Sequence, residues 1–292
     1  MRVTWLGHAT CVLDLPDGTR LVTDPLLGAR AGVLIRRGRV PEHAEWVDAD
    51  AVLLSHLHHD HAHLPSLRAT GGLVLGPAST ARWAERQRLR ARGLGDEWFQ
   101  LSSEVAVRTV PAVHGDRPMP HRPNDAVGFV VRWTDGGASG ARDEAGGGRG
   151  AAGVAGNDRG AGIDRGAGGG DAAGSGTVRR LWFAGDTELF PGLADLPDLA
   201  GGPIDVALLP VGGWGPRLSG GHLDPSRAAE AAAIVGARTA VPIHWGTFHA
   251  PLGRHVPRGW MDRGGPDFLR ALDAIAPGTS GVLLAPGEHH AL

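Results

Sequence analysis

The stretch that decides the fold reads Asp50-Ala51-Val52-Leu53-Leu54-Ser55-His56-Leu57-His58-His59-Asp60-His61. Its apolar first half reads as a buried strand, so the histidines begin where that strand ends. Four imidazoles and a carboxylate within six residues suit neither a core nor a solvated face. They do suit borderline divalent metals, which accept neutral imidazole and carboxylate ligands. His56 and His58 lie two apart and can point the same way from an extended segment. Asp60 and His61 follow a bend and can face a second point from the opposite side. The spacing therefore suits two metal ions, with His59 facing away. A solvated histidine patch or a purification tag is a poor account of a cluster that is internal and follows a strand.

Five further segments carry the same kind of signal in order along the chain. They are Trp5-Leu6-Gly7-His8-Ala9-Thr10, Pro111-Ala112-Val113-His114, Phe183-Ala184-Gly185-Asp186-Thr187, Leu208-Leu209-Pro210-Val211-Gly212, and Pro242-Ile243-His244-Trp245-Gly246-Thr247-Phe248. With the His-x-His-x-Asp-His run they resemble the metallo-β-lactamase superfamily over nearly the whole chain. The last two segments are similar to its branch of ascorbate-phosphate lactonases and N-acyl-phosphatidylethanolamine phospholipase D-like proteins. The resemblance implies an α/β fold, an αββα sandwich of two mixed sheets flanked by helices, with metals at one edge. It also implies that His56, His58 and His114 hold one ion, Asp60, His61 and His244 a second, and that Asp186 bridges them. The ions would be zinc first, with manganese or iron accepted by the same ligands.

At 292 residues the chain is long enough for one large domain, and we read 1–292 as a single unit with a long insert. A formal charge of −2 gives no bulk electrostatic reason to bind nucleic acid or an anionic membrane, although a local basic patch stays open. All 29 basic residues are arginine, which reads as codon bias. The single cysteine, Cys11, excludes an internal disulfide and reads as a small buried hydrophobe. The N-terminus enters strand-like sequence with no signal core, and no apolar run approaches the roughly twenty residues of a membrane span. A cytoplasmic location is the expectation.

Residues 2–24 read as a meander broken at Pro16-Asp17-Gly18. His8 lies in a loop between strands, where it either orients a ligand by a hydrogen bond or is simply structural. Asp24 ends the third strand and is a candidate to orient a ligand histidine. Leu64 starts a short helix; Ala78 to Arg92 reads as a longer one stopped by Gly93. His121 and Asn124 follow in a Pro-rich loop as candidate substrate contacts. Residues 135–177 are dominated by Gly, Ala, Asp and Arg and read as a disordered loop at the tip of a hairpin between 127–133 and 179–183. Asp224-Pro225 caps a helix that runs to Gly236. His222, just before it, either contacts substrate or braces the loop. A helix over 266–276 and a final strand at Val282-Leu283-Leu284 complete the reading.

The chemistry expected is metal-assisted hydrolysis of an ester, lactone or phosphodiester bond in a small soluble substrate, by a water acidified toward neutral pH. Asp60 is the alternative proton shuttle if only the first ion is present. A phospholipase D-like activity on lipid phosphodiesters needs an exposed apolar groove, for which Leu26, Leu27, Val33, Leu34 and Ile35 are the candidates. A non-catalytic metal-binding protein is the third reading. Nucleic acid and stable membrane insertion are not expected as partners, and homo-oligomerisation is left open.

Overall fold

The computed structural model describes residues 1–115, 122, 125–135 and 176–292. His121 and Asn124 lie outside these residues, as does nearly all of the 135–177 segment.

Among the described residues, two seven-stranded mixed sheets face one another. The first has the order His289–Ala291, Arg2–Gly7, Thr10–Asp14, Arg20–Thr23, Ala51–Leu53, Leu73–Pro77, Ala91–Leu94. The second has the order Ser280–Gly281, Thr239–Ile243, Val206–Pro210, Thr177–Phe183, Val127–Asp135, Val105–Pro111, Phe99–Gln100. Strand alternation sorts the side chains. Leu53, Phe129, Leu181, Phe183, Val206 and Leu208 point inward to the core between the sheets. Val130, Trp182, Ala207 and Leu209 point outward and are covered by the helices Pro225–Ile234 and Gly264–Ile275. On the first sheet Val52, Leu54 and Val74 are covered by Leu67, Trp83 and Ala84 from the helices Leu64–Thr70 and Ala78–Arg86. Each fully buried Leu, Val or Phe of these layers contributes roughly 1.5–3 kcal/mol. The result is the αββα sandwich, with Cys11 in its centre and its thiol pKa pushed up by burial.

Direction of travel builds the functional edge. Arg20–Thr23 and Ala51–Leu53 run parallel in the first sheet, so Asp24 and His56 emerge together. In the second, Val127–Asp135 pairs antiparallel with both Val105–Pro111 and Thr177–Phe183, and the latter runs parallel to the strands beyond it. His114, Asp186 and His244 therefore leave strands that end on one edge.

Several local readings change. The helix at Ala78 ends at Arg86; Arg88 adopts φ 63°, the chain reverses, and Ala91–Leu94 becomes an edge strand beside Leu73–Pro77. Ladder pairing outweighs helix propensity there. Residues 282–284 are not a strand; Ser280–Gly281 and His289–Ala291 are, the latter pairing with Arg2–Thr4. Residues 26–46 supply two strands of a small third sheet, ordered Phe248–His249, Leu34–Arg36, Arg30–Ala31. This sheet removes the apolar groove expected there. Leu26, Leu27 and Leu34 are buried, Leu26 and Leu34 against Ala31 and Phe248, and Ile35 is half-buried, leaving only Val33 exposed.

Candidate metal centre

Strand ends and tight turns deliver the donors. His8, Asp24 and His244 all adopt left-handed backbone, at φ 55°, 30° and 62°. Such residues cost about 1–3 kcal/mol each and gather where function requires a particular aim. Stretches far apart in sequence are thereby folded onto one point: His61 Nε2 lies 3.1 Å from His244 Nε2 across 183 residues.

Two donor groups stand on either side of Asp186. In one, His58 Nδ1 lies 3.1 Å from His56 Nε2 and 2.9 Å from His114 Nε2. In the other, His61 and His244 meet Asp60 and His8, with Asp60 Oδ2 3.7 Å from both His61 Nε2 and His244 Nε2. Asp186 reaches both: its Oδ2 is 3.1 Å from His61, 3.9 Å from His114 and 4.0 Å from His56, and its Oδ1 is 3.4 Å from His244.

Hydrogen bonds on the far side of each ring fix which nitrogen faces inward. Carbonyls and carboxylates only accept, so His114 Nδ1 donates to Gly221 O at 2.7 Å and His244 Nδ1 to Gly212 O at 3.0 Å. His61 Nδ1 donates to Asp24 Oδ2 at 2.7 Å. Ser55 Oγ spends its hydrogen on Asp24 Oδ2 at 2.5 Å and so accepts from His56 Nδ1 at 2.9 Å. Each of these four rings thus keeps Nε2 for the interior. His8 Nε2 donates to Asp60 Oδ2 at 3.0 Å, so His8 aims Asp60 from behind. Gly221 is where glycine is required: at φ 81° a Cβ would stand 2.5 Å from Gly115 N. Its carbonyl can then lie against His114.

These residues fit a divalent cation. Lone pairs converge at about 3 Å with no other donor to separate them, and the buried Asp186 Oδ1 has no hydrogen-bond partner. The electrostatics agree. Burial, helped by His61, drives His56 well below the usual imidazole range, and burial with His114 lowers His58 to about 4. Burial also lowers His114, and with His244 it lowers His8 to about 3. These rings are neutral at neutral pH, as ligands must be. Burial opposes charge on His61 too, but Asp186, Asp60 and Asp24 outweigh it and hold its pKa well above the usual value. Burial alone would raise Asp60 and Asp186, yet the imidazoles reverse this and hold both well below the usual carboxylate range.

The structure brings His56, His58, Asp60, His61, His114, Asp186 and His244 together, with His8 and Asp24 behind them. His59 is exposed and outside both groups. His222 braces its loop, with Nδ1 donating to Ser219 O at 3.1 Å, and also reaches the cluster. Its Nε2 is 3.4 Å from Asp186 Oδ2, it shares a donor cluster with His114, and Asp186 raises its pKa against the effect of burial. The sequence reading missed Ser55, Gly212 and Gly221. Ser55 and Gly212 lay within the motif segments, and Gly221 had no local signal. A cavity of about 120 Å³ opens from the cluster, lined by Trp214, Arg217 and Ser219 beside His222.

Comparison with known proteins agrees with this geometry. Residues 2–139 and 165–245 each match a beta-lactamase superfamily domain. A metal-dependent hydrolase of Anaeromyxobacter dehalogenans is 30% identical over 302 residues, covering 98% of this chain and 85% of that protein. The N-acyl-phosphatidylethanolamine-hydrolyzing phospholipase D 1 of Caenorhabditis elegans is 26% identical over 279 residues, covering 86% of this chain; the chain spans 64% of that protein's length. Among solved structures, an isothiocyanate hydrolase from Delia radicum gut bacteria superposes with a TM-score of 0.66 at 15% identity, covering 100% of this chain and 99% of that one. The chain belongs to the metallo-β-lactamase superfamily, among its metal-dependent hydrolases.

Proposed function

We propose that the protein is a dinuclear hydrolase of an ester, lactone or phosphodiester bond in a small soluble substrate. The observation that carries this is the placement of Asp186 between two donor groups, within 4.0 Å of His56, His61, His114 and His244. His56, His58 and His114 would hold one ion, Asp60, His61 and His244 the other, and Asp186 both, with zinc the best fit to this imidazole-rich set. Ions held there supply Lewis-acid polarisation of the scissile bond and acidify water near neutral pH. The chain's own residues do the rest. His8 keeps Asp60 aimed, while His61 above all holds it ionised, and Asp60 would be the proton shuttle when its ion is absent. His222 holds a proton at Nε2 against Asp186, facing the cavity where a leaving group would depart. Gly213 to Ser219 wall that cavity and limit what enters.

A lipid phosphodiester is the second reading, supported by the likeness to the nematode enzyme. A larger cavity of about 450 Å³ lies across the Gly213–Leu218 loop, walled by Trp245, Pro257 and Trp260. The test is metal content per chain by elemental analysis on untagged protein, with turnover of bis(p-nitrophenyl) phosphate and a simple lactone before and after chelation. Two ions and chelator-sensitive turnover are expected. Metal without turnover of any ester would move the protein to a binding role.

A further inference from the structure

Among the described residues the most exposed large hydrophobic side chains are Leu252 at 94%, Val33 at 70% and Val256 at 70%. All three occupy one corner. Leu34–Arg36 pairs antiparallel with Phe248–His249, so the chain beyond His249 runs toward the turn at Gly32 and Val33. Residues 250–260 fold back on themselves, with Gly253 N donating to Ala250 O and Trp260 Nε1 to Gly253 O, both at 2.9 Å. Leu252 and Val256 thus project from one compact loop beside Val33. Beneath them Leu26, Ala31, Leu34 and Phe248 form a closed apolar base, so the exposed tips add nothing to the core.

The same corner is basic in a chain whose formal charge is −2. Between Asp24 and Glu42, and between Glu230 and Asp262, there is no acidic residue. Arg37 and Arg39 are paired with Asp262 and Glu45, and Arg36 is buried. Arg30, Arg254 and Arg258 are exposed, and none has a carboxylate partner among the described residues.

We propose that this corner docks on the surface of an anionic lipid bilayer, with Val33, Leu252 and Val256 in the headgroup boundary and Arg30, Arg254 and Arg258 on lipid phosphates. A second copy is the poorer occupant, because it would set the arginines against themselves. Nucleic acid would satisfy the arginines but offers the aliphatic tips no apolar medium. Docking needs no spanning helix, and among the described residues none is long and apolar enough to span. Pro257 and Trp260 of this loop also wall the larger cavity beside the metal centre, so contact would turn that cavity toward the membrane. The inference goes beyond the hydrolase reading and does not rest on it.

The experiment is co-sedimentation of the metal-loaded full chain with vesicles of phosphatidylcholine alone and of an equimolar mixture with phosphatidylglycerol. Binding is expected only to the anionic vesicles. Arg30→Gln/Arg254→Gln/Arg258→Gln should lower partitioning about 100-fold. Leu252→Ser/Val256→Ser, which keeps every charge, should lower it about tenfold. Unchanged far-UV circular dichroism and thermal unfolding midpoint in both variants serve as the folding control. Failure of the unsubstituted protein to bind, equal binding to both vesicles, or binding that survives either variant overturns the proposal. So does single-stranded DNA binding that needs the arginines but ignores the apolar pair, which would mark a polyanion surface. Self-association without vesicle binding, abolished by the apolar pair, would reassign the corner to a second copy.

Discussion

The two donor groups beside Asp186 differ by one carboxylate, and their imidazoles His58 and His61 are pushed in opposite directions. His56, His58 and His114 have no carboxylate among them, and all three are pushed toward neutrality, mainly by burial. His61 and His244 sit with Asp60, and Asp24 is hydrogen-bonded to His61, which is held protonated well above the usual range. The first group is already in the form that accepts a cation. The second must exchange a proton for one, so its affinity depends more steeply on pH.

The severest test removes what joins them. Asp186→Ala should lower both metal content and kcat/KM by more than about 100-fold, since even partners that only orient ligands are worth 10–100-fold. Loss of ions from one group alone would show that the two are independent. Next, His114→Ala and His244→Ala should each remove one ion equivalent, read by elemental analysis, while the other is retained. A smaller effect is expected from Asp24→Asn, about tenfold in the affinity of the second group, because His61 loses its acceptor. An equal loss at the first group would mean that the Ser55 bridge to His56 matters as much.

Acid should then separate the groups without mutation. A ligand imidazole must be neutral, and protons compete only below its pKa. His58, at about 4, therefore keeps its ion as pH falls toward 4, whereas His61, raised, gives up its ion at higher pH. Residual metal after dialysis across this range should fall in two steps, and a single step near pH 6 would erase the distinction. The smallest change is expected from His59→Ala, which should leave metal content unaltered because this ring is exposed. Loss of an ion there would mean that the facing of the motif has been misread.

Much of this architecture was legible because its signals are local. The apolar run 51–54 marked a buried strand, and Asp224 with Pro225 marked a helix start that Arg227 N confirms by donating to Asp224 Oδ1. Where tertiary pairing competed with local preference, the local reading failed. Residues 87–94 have helical propensity but turn at Arg88 and pair as an edge strand, and Leu26 to Ile35 look like an apolar groove but close over Phe248.

The sequence by itself determined which chemistry the chain can hold, because donor type and its position after an apolar run are written residue by residue. Only the tertiary structure decided how those donors are aimed. The acceptor that fixes His114 is Gly221 O, 107 residues away, and the one that fixes His244 is Gly212 O, 32 residues back across a strand and a helix. His222 joins Asp186 in the same way, by folding rather than by motif. A backbone carbonyl has no residue type to announce it, so its role exists only once strands and loops have been brought into register.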